Sequence, residues 1–168
     1  KPEDVGDYPD GEPPVPVTAT QGEPEEELEL TIGQALRTQA FWAISFGHGF
    51  GSMVVLATMS HLGLLMQDVG YGLQIAGWII TIQTAVAIVF QFFGGWIGDR
   101  IPKNIALFIF TAIQGIGVVF LTLGPDIMNF YIFAVLFGIG FGGRTPLTTA
   151  IRGEYFGRAS FGKILGIS

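Results

Sequence analysis

The stretch GGWIGDRIPKN, residues 94–104, decides the fold of this chain. It brings an acid, two bases and a proline together between two apolar runs of about twenty residues each, the length that crosses a bilayer as a helix. Asp99, Arg100 and Lys103 carry charges that are costly to place in hydrocarbon, so they must lie at a water boundary. Pro102 lacks a backbone donor and ends one helix or starts the next. The stretch therefore predicts a tight connection between two membrane-spanning helices.

Four apolar segments lie around this connection, and each is long enough to cross a bilayer. A hydrocarbon core about 30 Å thick requires about twenty helical residues. None of the segments has the wide polar face that a soluble helical bundle needs. We therefore predict an all-α, polytopic transmembrane helix bundle with four full spans and the start of a fifth. The predicted spans are residues 41–66, 73–97, 105–123 and 128–151, and the fifth begins at residues 164–168.

The charges between the spans predict the orientation of the bundle. The turns on one side contain Asp68 and Asp126 and no base, whereas the bases of the connecting segments fall on the other side. Because basic loops concentrate on the cytoplasmic side of membrane proteins, we expect the basic side to face the cytoplasm. This predicts an integral, multi-pass protein of a cell membrane, plasma or inner. The bases are Arg37, Arg100, Lys103, Arg152, Arg158 and Lys163.

The first segment, residues 1–27, differs in composition from the rest of the chain. Ten of the fourteen acidic residues fall within residues 1–30, beside a single base, Lys1. The segment is rich in Pro, Gly and Glu and cannot bury enough apolar surface to offset the entropy of ordering, so we predict a disordered, acidic, cytoplasmic linker. Its charge does not favour nucleic acid as a partner. The chain has no cysteine, which excludes disulfides and thiolate metal sites.

Residues 28–40 predict a short amphipathic segment at the membrane interface. Thr31 and Gln34 have the spacing of a capping box, and Ile32 and Leu36 share one helical face. The expected organisation is thus a linker over 1–27, an interfacial segment over 28–40 and a transmembrane bundle fragment over 41–168. Small residues four apart along three of the spans predict close helix packing. These pairs are Gly47 with Gly51, Gly94 with Gly98, and Gly138 with Gly142.

The connection at residues 94–104 resembles the loop signature of the major facilitator superfamily of secondary transporters. That signature has a glycine, three residues, an aspartate, a base, and then a second glycine with further bases. The acidic linker, LTIGQALRTQAFW and a glycine-rich span before the loop look like the second half of a twelve-helix member. RGEYFGRASFGKILG resembles the connection to the eleventh helix in the branch of monocarboxylate porters and oxalate/formate antiporters. Gly95, Asp99, Arg100 and Lys103 match the signature, while Pro102 and Asn104 depart from it.

The resemblance implies two six-helix bundles that rock about a central cavity. The four spans would be the seventh to tenth helices, and the partner would be a missing N-terminal half. The first residue is not Met and an apolar run stops at Ser168, which we interpret as a piece of a longer chain. The resemblance also implies a gate, in which Asp99 lies near the start of the next helix at residues 162–164 and Arg100 pairs with an acid, either Glu154 or one outside this fragment. The alternative is a solvated turn that only fixes topology.

Arg144 is the first candidate for contact with a substrate. It lies well inside the fourth predicted span, where a charge must be balanced by a partner. A planar guanidinium makes two parallel hydrogen bonds with a carboxylate and stays charged at every physiological pH. We interpret Arg144 as a carboxylate-binding residue. A structural ion pair, or an anchor that reaches the membrane surface, is the alternative.

Gln91 and His48 are the other candidate substrate contacts. Gln91 belongs to a polar and small stripe along the second span that predicts contact with protein or a water-filled cavity, with interhelical hydrogen bonding as the alternative. His48 lies in the glycine-rich part of the first span, where imidazole could carry a coupled proton. A packed, hydrogen-bonded histidine is the alternative. The stripe comprises Gln74, Gly77, Thr81, Thr84, Ile88, Gln91 and Gly95.

These features predict part of a secondary transporter that moves a small organic anion of the monocarboxylate type by alternating access, coupled to a proton or a counter-anion. A non-transporting membrane sensor or assembly subunit with the same fold is the alternative. No enzyme is expected, because the spans contain no carboxylate pair, no nucleophile beside a base and no metal cluster. We expect no metal or cofactor. The expected partners are the lipid bilayer, the anion and the N-terminal half.

Overall fold

The computed structural model describes residues 31–156 and residue 166. The described residues form five helices and no strand. Four of the helices, α2 to α5, are long and apolar enough to cross a membrane. The prediction of an all-α bundle with four spans is therefore confirmed, whereas the predicted linker over 1–27 lies outside the described residues. The helices are α1 (Ile32–Ala35), α2 (Gln39–Asp68), α3 (Leu73–Gly98), α4 (Lys103–Thr122) and α5 (Ile127–Phe156).

The two ends of the bundle differ in charge. The basic end carries the connection at residues 99–102 together with the end of α5, and the acidic end carries the turns at 69–72 and 123–126. The main apolar core lies toward the acidic end, where the last turns of α2 meet the first turns of α3 and α5. At this end the Tyr71 hydroxyl donates to the Pro125 carbonyl at 2.8 Å, which links the two turns. The core residues are Leu62, Met66, Ala76, Ile79, Phe130, Phe133, Ala134 and Phe137.

The helix α5 is the centre of the fold because its glycines let two other helices approach it closely. A Cβ added at Gly142 would overlap the backbone of Ala87 on α3, and a Cβ at Gly94 of α3 would overlap the backbone of Gly143. On the other side of α5, a Cβ at Gly140 would overlap the backbone of α4 at Phe110. Side chains are thus absent where the three backbones meet. The predicted packing role of Gly94, Gly98, Gly138 and Gly142 is confirmed.

The helix α2 packs on the others mainly at its two ends. At the basic end, Phe41 forms a small core with Ala35 of α1 and Phe156 of α5. This contact holds α1, a single turn, against the bundle, and the Thr38 hydroxyl caps α2 by accepting from the Phe41 backbone at 3.2 Å. Between its ends α2 leaves large apolar side chains exposed, and two cavities lie beside it. The exposed residues include Phe46, Phe50, Met53 and Leu56.

The end of α5 differs from the sequence prediction. The fourth span was expected to stop at Ile151 and give way to a polar loop from Arg152, but α5 continues to Phe156. The reason is tertiary packing, since Phe156 is buried against Phe41 and Ala35 and so holds the last turns in a helix. Arg152 is consequently not a loop residue. Its side chain is only 3% exposed.

The adjacent glycines Gly94 and Gly95 give a direct test of the close contact between α3 and α5. Gly94→Ala is expected to destabilise the protein by about 1–3 kcal/mol, because its Cβ meets backbone that cannot rotate away. A Cβ at Gly95 meets nothing within 4 Å, so Gly95→Ala should leave stability unchanged or raise it by up to about 1 kcal/mol through helix propensity. Thermal unfolding of both variants in detergent measures the difference. Equal midpoints for the two variants would contradict the packing.

Candidate functional site

Two cavities flank Arg144 in the gap that α2 leaves. The three-helix cavity, of about 520 Å³, lies between α2, α4 and α5 in the basic half of the bundle. The two-helix cavity, of about 440 Å³, lies between α2 and α5 and extends toward the acidic end. His48, Arg144 and Thr148 line both cavities, so they form the wall that the cavities share. These volumes suit a small organic molecule.

Arg144 presents a buried charge to this shared wall. Its side chain is 6% exposed, and its Nε atom has no hydrogen-bond partner among the described residues. The guanidinium carbon lies 5.9 Å from the centre of the Phe141 ring, which gives weak cation–π support. An unbonded buried guanidinium nitrogen is costly, so the site favours an acceptor at this position.

Gly51 of α2 provides the space that the guanidinium occupies. A Cβ added at Gly51 would overlap the Nη1 atom of Arg144, whereas one added at Gly47 meets nothing within 4 Å. The predicted close packing is therefore confirmed at Gly51, where the neighbour is a side chain of α5, and wrong at Gly47. Gly51 accommodates a charged side chain, and Gly47 lies beside the open space of the three-helix cavity.

His48 lies one turn from Gly51 on α2 and lines both cavities. His48 is exposed, so its ring is accessible to molecules that enter either cavity. The structure thus brings together two of the predicted site residues, His48 and Arg144. Imidazole at this position can donate or accept a hydrogen bond, and it can exchange a proton with a bound anion.

Gln91 lies apart from these residues. It is on the exposed side of α3 and lines neither cavity, whereas the packed side of α3 presents Gln83, Ala87 and Gly94 to α5. The polar stripe that includes Gln91 shares this exposed side. Gln83, which lies outside the polar stripe, is 5% exposed, and its Oε1 atom has no partner among the described residues.

Arg152 is the site residue that sequence reasoning missed. It lines the two-helix cavity together with Arg144, and its Nε atom also has no hydrogen-bond partner in the described part of the chain. Thr148 lies between the two arginines along α5, and its hydroxyl donates to the Arg144 carbonyl at 2.8 Å. The spacing of four residues from Arg144 to Thr148 and again to Arg152 was the available signal, because such residues share one side of a helix.

The connection at the basic end makes contacts that differ from the prediction. Lys103, the first residue of α4, forms an ion pair with Glu154 at 3.3 Å. Of the two partners expected for Arg100, Glu154 is therefore wrong, and an acid outside this fragment stays a prediction. Arg100 folds back instead, with its guanidinium 3.8 Å above the Trp96 ring and its Nη1 donating to the Trp96 carbonyl at 3.1 Å. Residues 162–164, the predicted neighbours of Asp99, lie outside the described residues.

The charge balance around the cavities follows from these contacts. Four acids fall within residues 31–156, namely Asp68, Asp99, Asp126 and Glu154. Asp68 and Asp126 lie at the acidic end, Asp99 ends α3, and Glu154 is paired with Lys103. None of these four acids lines either cavity. Within this part of the chain, no three His, Cys, Asp or Glu side chains come together as a metal site.

Comparison of the sequence with known proteins assigns the chain to a family. The sequence profile of the Major Facilitator Superfamily matches residues 13–168. Monocarboxylate transporter 13 of Rattus norvegicus is 24% identical over 99 residues, which cover 58% of this chain. The same match covers 23% of the length of that relative, so the chain spans less than a quarter of the curated protein that it resembles.

Proposed function

Because the chain belongs to the Major Facilitator Superfamily, we propose that it forms part of a secondary transporter that moves a small organic anion across a membrane by alternating access. The chain is an integral, multi-pass membrane protein of a transporter family, not an enzyme. The name of the rat relative suggests a substrate of the monocarboxylate type. A coupled proton or a counter-anion would drive the transport.

One observation carries the proposal about the substrate. Arg144 holds a positive charge at the wall of two cavities, with no acceptor for its Nε among the described residues. A carboxylate would supply both the missing acceptor and the missing negative charge, in the bidentate geometry that a guanidinium favours. The site would therefore bind anions and reject cations.

His48 and Gln91 have different parts in this proposal. His48 borders both cavities beside Arg144 and is placed to carry a proton that moves with the anion. Gln91 would contact substrate only across the exposed side of α3, where the N-terminal half of the transporter would form the other wall of a central cavity. The exposed apolar side chains of α2 would face the same half or the lipid.

The connection at the basic end would act as a gate. We propose that Gly95, Asp99, Arg100 and Lys103 hold this end closed until substrate binds, with the ion pair from Lys103 to Glu154 joining the connection to α5. Both side chains reach solvent, so the pair contributes less than about 1 kcal/mol. A weak contact suits a gate, because it can break during each transport cycle.

Removing this ion pair is expected to make the basic end open more readily. In Glu154→Gln or Lys103→Gln, a cysteine introduced as Thr111→Cys in the three-helix cavity should react up to about fivefold faster with a membrane-impermeant maleimide, as expected for a pair worth less than about 1 kcal/mol. The double exchange Lys103→Glu with Glu154→Lys should restore the slow rate. Equal rates in all variants would contradict the gate.

Reconstitution tests the proposed function itself. The complete transporter, purified and placed in liposomes, should accumulate radiolabelled butyrate in a saturable manner when a proton gradient or an internal load of unlabelled anion is supplied. Empty liposomes provide the control. Absence of uptake under both driving forces would remove the transporter proposal and favour a membrane sensor or an assembly subunit.

A further inference from the structure

The two arginines of α5 form a pair of buried charges within one cavity. Arg144 and Arg152 are 6% and 3% exposed, and both line the two-helix cavity with Thr148 between them. Each has an Nε atom without a hydrogen-bond partner in residues 31–156. Burying two guanidinium groups without partners is unfavourable, so negative charge beside both of them would stabilise the arrangement.

The acids of the described chain do not supply this charge. Glu154 is closest to Arg152 in sequence, but it is exposed and paired with Lys103. Asp99 is exposed at the end of α3, and the remaining acids, Asp68 and Asp126, lie at the other end of the bundle. The cavity itself is lined by hydroxyl groups, apolar side chains, His48 and the two arginines. A ligand that binds there meets two cations.

We infer that the preferred substrate carries two carboxylates, one held by Arg144 and the other by Arg152. This inference rests on the proposed transport of a small organic anion, and it names a dicarboxylate in place of the monocarboxylate that the name of the rat relative suggests. A single carboxylate satisfies one guanidinium and leaves the second buried charge unbalanced. A dianion balances both charges, and the hydroxyls of Ser52 and Thr149 along the same cavity offer donors to the remaining carboxylate oxygens.

Eight residues along a helix separate the Cα atoms of the two arginines by about 12 Å. Arginine side chains are long, so both guanidinium groups can reach one short dianion within the cavity that they line. Succinate, which carries two carboxylates on a four-carbon chain, is therefore a suitable probe of the inference.

Binding to the complete transporter in detergent tests the inference. Thermal stabilisation is measured at constant ionic strength with succinate and with butyrate, which has the same number of carbons and one carboxylate. Succinate is expected to bind about tenfold to a hundredfold more tightly, as one additional charged contact predicts.

Variants of Arg152 identify the second contact. Arg152→Gln should lower the affinity for succinate to that for butyrate and leave the affinity for butyrate unchanged. Arg152→Lys keeps the buried charge, so it should retain part of the preference and controls for folding. Arg37→Gln removes an exposed base that lines neither cavity, and it should keep the full preference.

The possible failures are distinguishable. If butyrate stabilises the protein as strongly as succinate does, or if Arg152→Gln weakens both ligands equally, the dicarboxylate inference is overturned and the proposed organic-anion site stands. If neither anion stabilises the protein, the proposed anion site fails, and the inference fails with it.

Discussion

Replacing Arg144 with alanine is expected to lower uptake of radiolabelled butyrate by the complete transporter by about a hundredfold, because truncating one partner of a buried charged contact costs about 2–5 kcal/mol. Arg144 is the arginine that lines both cavities, and its Nε has no acceptor among the described residues. Arg144→Lys keeps the charge and loses the fork of donors, so it should recover part of the uptake.

Thermal unfolding without anion separates a binding role for Arg144 from a structural one. If Arg144 has no charged partner until the anion binds, its burial is unfavourable in the empty protein. Arg144→Ala should then leave the unfolding midpoint unchanged or raise it. If it forms a structural ion pair, the same change should lower the midpoint. Arg37→Ala, at an exposed base that lines neither cavity, is the control and should retain uptake. Unchanged uptake in Arg144→Ala would refute the binding role.

Gly51→Ala is expected to weaken transport by about tenfold to a hundredfold, since displacing a binding group by about 1 Å is enough for losses of this size. The added Cβ would overlap the Arg144 guanidinium, which is the flexible end of a side chain and can move. The protein should therefore fold normally while the charge is misplaced. Uptake of radiolabelled butyrate over a range of concentrations measures the change, and the loss should appear as a higher KM.

Gly47→Ala is the matched control for this prediction. Gly47 lies one turn before Gly51 on α2, and a Cβ there meets nothing within 4 Å. Both variants gain the same helix propensity, so a difference between them reports the space around the guanidinium. Equal uptake in the two variants would show that Gly51 does not set the position of Arg144.

The spans were predictable because length and hydropathy alone determine them. The connection at residues 94–104 gathers charges that cannot enter hydrocarbon, and the apolar runs beside it must then be helices in which every backbone group is bonded. The observed bounds of α2, α3 and α4 differ from the predicted spans by only a few residues. The end of α5 was not predictable, since its last turns depend on Phe156 packing against Phe41, a contact between residues distant in sequence.

From the sequence, a site residue could be predicted only where its charge differs from the apolar character of the residues around it. Arg144 stands out because it is a charge within an apolar run. Arg152 begins a polar stretch, so its burial could not be inferred without knowing that α5 continues. The helical spacing of polar and small residues places Gln91 on a polar stripe of α3. Such spacing does not show whether the stripe faces another helix, a cavity or the missing half of the transporter. Charge alone likewise could not decide whether Arg100 or Lys103 pairs with Glu154.

The direct backbone contacts of α5 have a mechanical consequence. At Gly94, Gly140 and Gly142 backbone lies directly against backbone, so we expect α3, α4 and α5 to form a stiff plate whose helices do not slide past one another. The helix α2 joins this plate at its two tips and at Gly51. Bending of α2 can therefore widen or narrow both cavities while Arg144 keeps its height within the plate.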